Sequence, residues 1–236
     1  MKPIITHPFN VSTQRAREIQ EELRGRVVVR GGRHASNWPE TVAGVDVAFK
    51  GGTACAVCCV FSYPQLELLE EKTAFREVTY PYIPGFLSFR EIPVVMDTLL
   101  SLEIEPDVII CDGQGIAHPR GMGLASHIGV LFGKSTIGCA KSRLVGEYRE
   151  PGVEKGSISP LFYRKKLVGY VVRTRRGVKP TFVSPGNLIS PEEAVRVIMG
   201  CAMDRRIPEP VRIADKRSKE LKRLSPDFPR SYPLKS

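Results

Sequence analysis

Apolar residues recur at helical spacing near the start of the chain. Ala16, Ile19 and Leu23 share one face, and Ser12 or Thr13 is placed to cap that helix. A segment rich in Gly, Arg and Asn follows, from Gly31 to Pro39. The pattern then turns to β. Thr41 to Phe49 and Thr53 to Phe61 are two β-rich apolar runs, and Lys50-Gly51-Gly52 between them is a hairpin signal. Leu66 to Thr79 is amphipathic and pairs with the second run, which makes an antiparallel meander of three strands.

Pro81-Tyr82-Ile83-Pro84-Gly85 breaks regular structure. Phe86 to Leu102 is apolar at helical spacing, with Pro93 as an interruption. Asp107 to Cys111 (DVIIC) reads as a strand buried on both faces. A Gly-, His- and Pro-rich loop spans Gly113 to Gly123, a helix Gly123 to Gly133, and a short buried strand Ser135 to Ala140. Leu161 to Thr174 forms a hairpin or strand pair, and Thr181 to Val183 a further strand. Ser190 caps a helix from Pro191 to Met203, with Pro at its first position. A last helix, Glu209 to Leu221, precedes a basic, Pro-rich tail from about residue 222. Meander strands followed by alternating helices and strands predict an α/β fold, a mixed sheet with helices on both faces. No repeat or linker divides residues 1–236, so one domain is expected.

A composition of 42% apolar and 25% charged residues excludes a disordered or collagen-like chain. No apolar run approaches the ~20 residues of a membrane span. The start, MKPIITHPFN, lacks the apolar core of a signal peptide. Cys55 and Cys58 have the C-x-x-C spacing of a redox pair or half a zinc site. A zinc site needs about four ligands, and no second pair exists at ligand spacing. The run TACAVCCVF is instead a buried strand with free thiols, as expected of a reducing, cytoplasmic compartment. Thirty-five Lys and Arg against 25 Asp and Glu give a net charge of +10. That surplus suits a polyanion such as nucleic acid, or simply a soluble basic protein.

Four carboxylates are candidates for chemistry. Asp46 interrupts the apolar strand TVAGVDVAF, where a carboxylate is costly unless it is paired, binds a metal or lies on an edge in water. Asp112 ends DVIIC and opens Gly113-Gln114-Gly115, the position where α/β sheets bind ligands, or else an Asx-turn. Glu91 and Asp215 lie on helices and are unremarkable alone. Together the four make an oxygen-only ligand set that suits Mg²⁺ or Mn²⁺ and not zinc. Two such ions about 3.5–4 Å apart can activate water and stabilise a leaving oxygen. On a basic chain this points to a nuclease or polynucleotide transferase.

The chain resembles the endonuclease V family through ordered blocks along most of its length. These are Val45-Asp46-Val47-Ala48, Pro81-Tyr82-Ile83-Pro84-Gly85-Phe86-Leu87-Ser88-Phe89-Arg90-Glu91 and Asp112-Gly113-Gln114-Gly115-Ile116-Ala117-His118-Pro119-Arg120. Gly138-Cys139-Ala140-Lys141-Ser142 and Ile207 to Asp215 complete them. The resemblance implies a ribonuclease H-like fold and Mg²⁺-dependent cleavage of the second phosphodiester bond 3′ to a deaminated base, leaving a 3′-hydroxyl and a 5′-phosphate. It implies Asp46, Glu91 and Asp112 as metal ligands, with Asp215 at a fourth position that is His in some members. It also implies Lys141 as the catalytic lysine and Pro81, Tyr82, Ile83 and Pro84 as a wedge into DNA. Leu87, Gly113, Gly123, Leu124, Gly138 and Leu144 would form the base pocket, and His118 a phosphate or supporting contact. The expected partner is deoxyinosine-containing DNA, single- or double-stranded, bound by a monomer with no membrane involved. An inosine-specific endoribonuclease is the alternative, and a non-catalytic nucleic-acid-binding domain a third.

Overall fold

Hydrogen bonding joins the β-rich runs into a mixed sheet of eight strands, in the order β3-β2-β1-β4-β5-β8-β7-β6. The structure, a computed structural model, describes residues 1–31 and 38–224. Residues 32–37 of the Gly- and Arg-rich segment, and the tail beyond residue 224, lie outside the described residues. The elements are α1 (Thr13–Arg24), β1 (Thr41–Lys50), β2 (Thr53–Ser62), β3 (Leu68–Glu77), α2 (Leu87–Leu100), β4 (Val108–Cys111), α3 (Leu124–Phe132), β5 (Ser135–Ala140), β6 (Ile158–Tyr163), β7 (Lys166–Val172), β8 (Thr181–Asn187), α4 (Pro191–Gly200) and α5 (Glu209–Leu224).

The meander forms as expected, with Lys50 paired to Thr53 across the Gly51-Gly52 turn. β1, β4 and β5 run parallel, and β5, β8, β7 and β6 then alternate in direction. Alternate residues of each strand feed two cores, because successive side chains leave a strand on opposite faces. Ala43, Val45, Ala56 and Ile109 meet α1, α2 and α3 on one face. Val42, Val57, Ile110 and Ile137 meet α4 and α5 on the other. The same alternation splits the C-x-x-C pair: Cys58 belongs to the first core and Cys55 to the second. All six cysteines are free and buried.

α2 runs unbroken through Pro93. An interior proline costs about 3 kcal/mol, and the complete burial of Phe89, Ile92, Val95 and Leu99 offsets it. No described helix is long and apolar enough to cross a membrane.

The register sets up the site. β4 pairs with β1 only from Val42 to Val45, where Val45 faces Cys111. Beyond that point β1 continues with β2 alone, so Asp46 is central on one side and an edge residue on the other. Asp112 is the first residue past β4, and its N–H reaches the Val45 carbonyl at 3.4 Å.

Candidate active site

Parallel pairing of β1 and β4 therefore brings Asp46 and Asp112 together at the carboxyl ends of the strands. α5 adds Asp215 from the second-core face, the face that Asp46 shares with Val42 in β1. That approach depends on Gly44 in β1, where a Cβ would lie 2.5 Å from the Val211 nitrogen and closer still to the Pro210 carbonyl. Asp46, Asp112 and Asp215, all half-buried, each present a carboxylate oxygen, and these atoms lie within 4.8 Å of one another. Such a group can hold a metal ion. Glu91, on α2, lies outside this group of three but is buried close enough to feel the charges of Asp46 and Asp112.

Lys141, the first residue past β5, places its Nζ 2.5 Å from Asp112 Oδ2 and 3.5 Å from Asp215 Oδ1. One turn along α5 from Asp215, Ser218 donates its hydroxyl to Asp46 Oδ2 at 2.5 Å and Lys219 donates to Asp215 Oδ2 at 2.6 Å. Two turns of α5 thus hold two of the three carboxylates.

The electrostatics follow from burial first and from crowding second. Burial, followed by the Asp46 and Asp112 charges, pushes Glu91 up to about 8. Burial also raises Asp46, helped by Asp112 and Asp215 and opposed by the Ser218 hydrogen bond. Burial alone would raise Asp215, but the Lys219 hydrogen bond and the Lys141 charge carry it below its ordinary value. Burial would lower Lys141, and its bond to Asp112 with the surrounding carboxylates leaves it raised instead.

A cavity of about 430 Å³ opens beside the cluster, with Asp112 and Lys141 in its wall. The expected pocket residues Leu87, Gly113, Gly123, Leu124 and Leu144 line it, as do Tyr82, Ile83, Pro84 and His118. Tyr82 is 69% exposed at its rim. Pro81 and Gly138 stand apart from the lining. Gly138 lies beneath the Gly113–Gly115 loop, where a Cβ would strike the Gly115 nitrogen and come within 2.7 Å of the Gly113 oxygen. Its smallness seats the loop. His118 is also placed differently from a phosphate ligand. Its Nδ1 accepts from the Arg120 N–H at 3.3 Å, so Nε2 carries the hydrogen and donates to the Gly85 carbonyl at 3.1 Å. Both nitrogens are occupied, and the ring braces the Pro81–Gly85 loop.

Sequence reasoning missed several supports. The Gly85 carbonyl also accepts from Gln20 at 3.1 Å and Arg120 at 2.6 Å. Gln114 donates to the Ser142 carbonyl at 3.0 Å while its buried Oε1 has no hydrogen-bond partner among the described residues. Gly44 carried a legible signal, since a glycine inside a strand marks close backbone approach. Ser218 lies three residues from Asp215, the spacing that puts both on one helix face.

Comparison with known proteins agrees with this geometry. The family described as Endonuclease V matches residues 21–216. Endonuclease V of Nostoc sp. (strain PCC 7120) is 47% identical over 212 residues, covering 89% of this chain and 95% of the relative. The crystal structure of endonuclease V from Streptomyces avermitilis superposes with a TM-score of 0.84 at 40% identity, covering 90% of this chain and 94% of that one. Endonuclease V of Ciona intestinalis, solved with a 24mer DNA containing an inosine followed by a ribo-adenosine, gives 0.80 at 33% identity over 90% of this chain and 98% of that one. The mixed sheet is the expected ribonuclease H-like fold. A family match across most of the sequence, relatives matched over nearly their full length and a shared architecture leave one conclusion: this chain belongs to the endonuclease V family and is an endonuclease.

Proposed function

We propose that this endonuclease is a cytoplasmic, monomeric DNA-repair enzyme that recognises deoxyinosine in single- or double-stranded DNA. It cleaves the second phosphodiester bond on the 3′ side of the lesion and leaves a 3′-hydroxyl and a 5′-phosphate. The observation that carries the reading is the shared wall: Asp112 and Lys141 belong both to the carboxylate cluster and to the 430 Å³ cavity, so a base held in one lies beside chemistry in the other.

Asp46, Asp112, Asp215 and Glu91 are the residues that hold the metal. An oxygen-only donor set, buried and crowded enough to raise Glu91 and Asp46, fits Mg²⁺, with Mn²⁺ able to replace it. A divalent ion bound there supplies Lewis-acid chemistry to a phosphodiester. Lys141 presents its ammonium where charge develops on the scissile phosphate. Asp215 offers oxygen at a position that needs no proton transfer for this role. Tyr82, stiffened by the flanking Pro81 and Pro84 with Ile83 behind it, wedges into the gap left by an extruded base. Extrusion costs a few kcal/mol, and less for a mispaired base. Leu87, Leu124 and Leu144 supply apolar walls for the base faces. The Gly113 backbone lets an N–H reach the O6 acceptor of hypoxanthine, which adenine replaces with a donor.

A second reading is cleavage of inosine-containing RNA. It is favoured by the ribo-adenosine that follows the inosine in the nucleic acid bound to the Ciona relative. One assay separates the two. Matched oligonucleotides carry a single deoxyinosine in DNA or inosine in RNA, with adenine controls, in Mg²⁺ or chelator. Mg²⁺-dependent incision one nucleotide beyond deoxyinosine, absent with adenine, is expected. Incision of RNA alone transfers the function to RNA, and incision of neither by folded, DNA-binding protein overturns the substrate assignment.

A further inference from the structure

A second cavity, about 540 Å³, shares the His118 ring with the base pocket. Its walls are the end of α1 with the segment after it, the Pro119–Gly121 turn and the β6–β7 hairpin. Arg24, Arg164 and Lys166 line it beside Tyr163 and an apolar floor that includes Val29 and Ile116. A neighbouring depression shares Arg24 and Arg164 and adds Arg17, Arg120 and one carboxylate, Glu21.

Several other cations of the basic surface are already engaged. Arg173 is buried and bonded to Glu150 and three backbone carbonyls. Arg176 pairs with Glu154 at 3.2 Å, Arg212 with Glu209 at 2.5 Å and Arg217 with Glu71 at 3.1 Å. Arg17, Arg24, Arg164, Lys165 and Lys166 have no ion pair among the described residues, and all five are exposed. The hairpin also accepts strain to hold its charges. Arg164 and Lys165 sit at φ of 50° and 62°, in the left-handed region. That conformation costs a side-chain-bearing residue roughly 1–2 kcal/mol, and Asn-Gly would adopt it cheaply. Strain kept at a surface turn is a pointer to function.

We propose that this cleft binds the sugar–phosphate backbone of the nucleic-acid strand on the 5′ side of the lesion, with Arg164 held over the Tyr163 ring at 5.2 Å from its centroid. The polarity rests on the reading given under Proposed function. Asp112 and Lys141 line the base pocket but not this cleft, and His118 joins the two. A strand running from the carboxylate cluster through the pocket therefore reaches the cleft last. Because the scissile bond is 3′ to the lesion, the cleft receives the 5′ side.

The test uses fluorescein-labelled single strands with one deoxyinosine and either full flanks, a trimmed 5′ flank or a trimmed 3′ flank. Anisotropy with Ca²⁺ in place of Mg²⁺ gives Kd. Trimming the 5′ flank is expected to weaken wild-type binding roughly 10- to 100-fold at 0.1 M salt, the scale of three released counterions. A R24Q/R164Q/K166Q variant loses the same factor on the full strand and becomes insensitive to the 5′ flank. Its log Kd against log salt slope falls by about 2, from about 0.7 per phosphate contact. R164G keeps the fold testable, since relief of the turn raises the melting temperature while binding weakens. The inference is overturned if wild-type affinity ignores the 5′ flank, if the triple variant keeps its salt slope, or if the variant becomes insensitive to the 3′ flank instead. Wild-type cleavage of deoxyinosine DNA in Mg²⁺ is scored in parallel. Its absence sinks the underlying reading, whereas cleavage with an inert 5′ flank sinks only the cleft.

Discussion

Glu91→Gln makes the metal-free protein more stable, and by an amount that the site geometry sets. Glu91 is buried against Asp46 and Asp112, and its folded pKa is about 8 against an ordinary 4.5. The sign follows from linkage. A folded pKa above the unfolded one means the native state holds the proton more tightly, so its stabilising contribution is complete below pH 4.5 and is lost as pH rises through 8. At 1.36 kcal/mol per pKa unit, the loss is under about 1 kcal/mol at pH 5, about 3 at pH 7 and nearly 5 above pH 8. Glutamine keeps the shape without the charge and escapes the loss, less about 1 kcal/mol for the altered hydrogen bonding. Urea unfolding in excess chelator at pH 5, 7 and 8.5 measures it. The variant is expected to match the wild type at pH 5, to exceed it by about 2 kcal/mol at pH 7, and to exceed it further at pH 8.5. Mg²⁺ narrows or reverses the gap, because the ion stabilises the charged form that only the wild type has. A variant equal to or weaker than the wild type in chelator at every pH refutes the argument. It would mean that burial and the aspartate charges do not raise Glu91 in the folded state.

Lys141→Met is expected to lower the single-turnover cleavage rate by about 10²–10³, the value of one electrostatic group at a developing charge, with DNA affinity changed much less. Gly44→Ala drives a Cβ into the Pro210–Val211 backbone and displaces Asp215 with α5. It should cost about 3 kcal/mol or more in urea unfolding and weaken Mg²⁺ binding by calorimetry. Gly113→Ala is the contrast: its Cβ meets Leu124 Cβ at 3.5 Å, an ordinary contact. Stability should hold within about 1 kcal/mol while preference for deoxyinosine over adenine falls. His118, lowered to about 4 by burial and Arg120, stays neutral in the fold while the unfolded chain protonates below 6.5. Stability present above pH 6.5 is therefore lost on acidification, by about 2.5 kcal/mol at pH 4.5, and the slope between these values is expected to be shallower in His118→Gln.

The elements were legible wherever one local signal dominated. Gly51-Gly52 fixed the meander turn, and the capping box of Ser190 and Glu193 fixed the start of α4. Proline blurred other boundaries. β6 begins at Ile158, three residues before the expected run, because Pro160 is tolerated on a sheet-edge strand where no further neighbour needs its N–H. β8 continues through Pro185 to Asn187, past the expected end at Val183, and a register shift at Thr136/Ile137 accommodates it. The carboxylate cluster was legible as types but not as a place. Nothing local to Asp46 or Asp112 says that their strands are parallel neighbours, or that β4 stops one residue short of Asp46. Shared donor chemistry grouped them beforehand, and the resemblance gave them a common site.

Charge shows the same division between type and place. A surplus of +10 suits a polyanion-binding chain, yet the sequence cannot separate the arginines that build the protein from those left for a ligand. Arg173 looks like its basic neighbours and is an internal brace. Lys219 looks like a DNA contact and is tied to Asp215. Folding engages cations where a carboxylate or carbonyl is within reach, and among those left without an ion pair Arg24, Arg164 and Lys166 share one cleft. The acidic side obeys the converse rule. Asp46, Glu91, Asp112 and Asp215 outnumber the cations that reach them, Lys141, Lys219 and Arg90, and burial with this mutual repulsion keeps Glu91 and Asp46 raised. The unbalanced negative charge suits the divalent ion proposed for it, and the cleft's positive charge suits the proposed phosphate backbone.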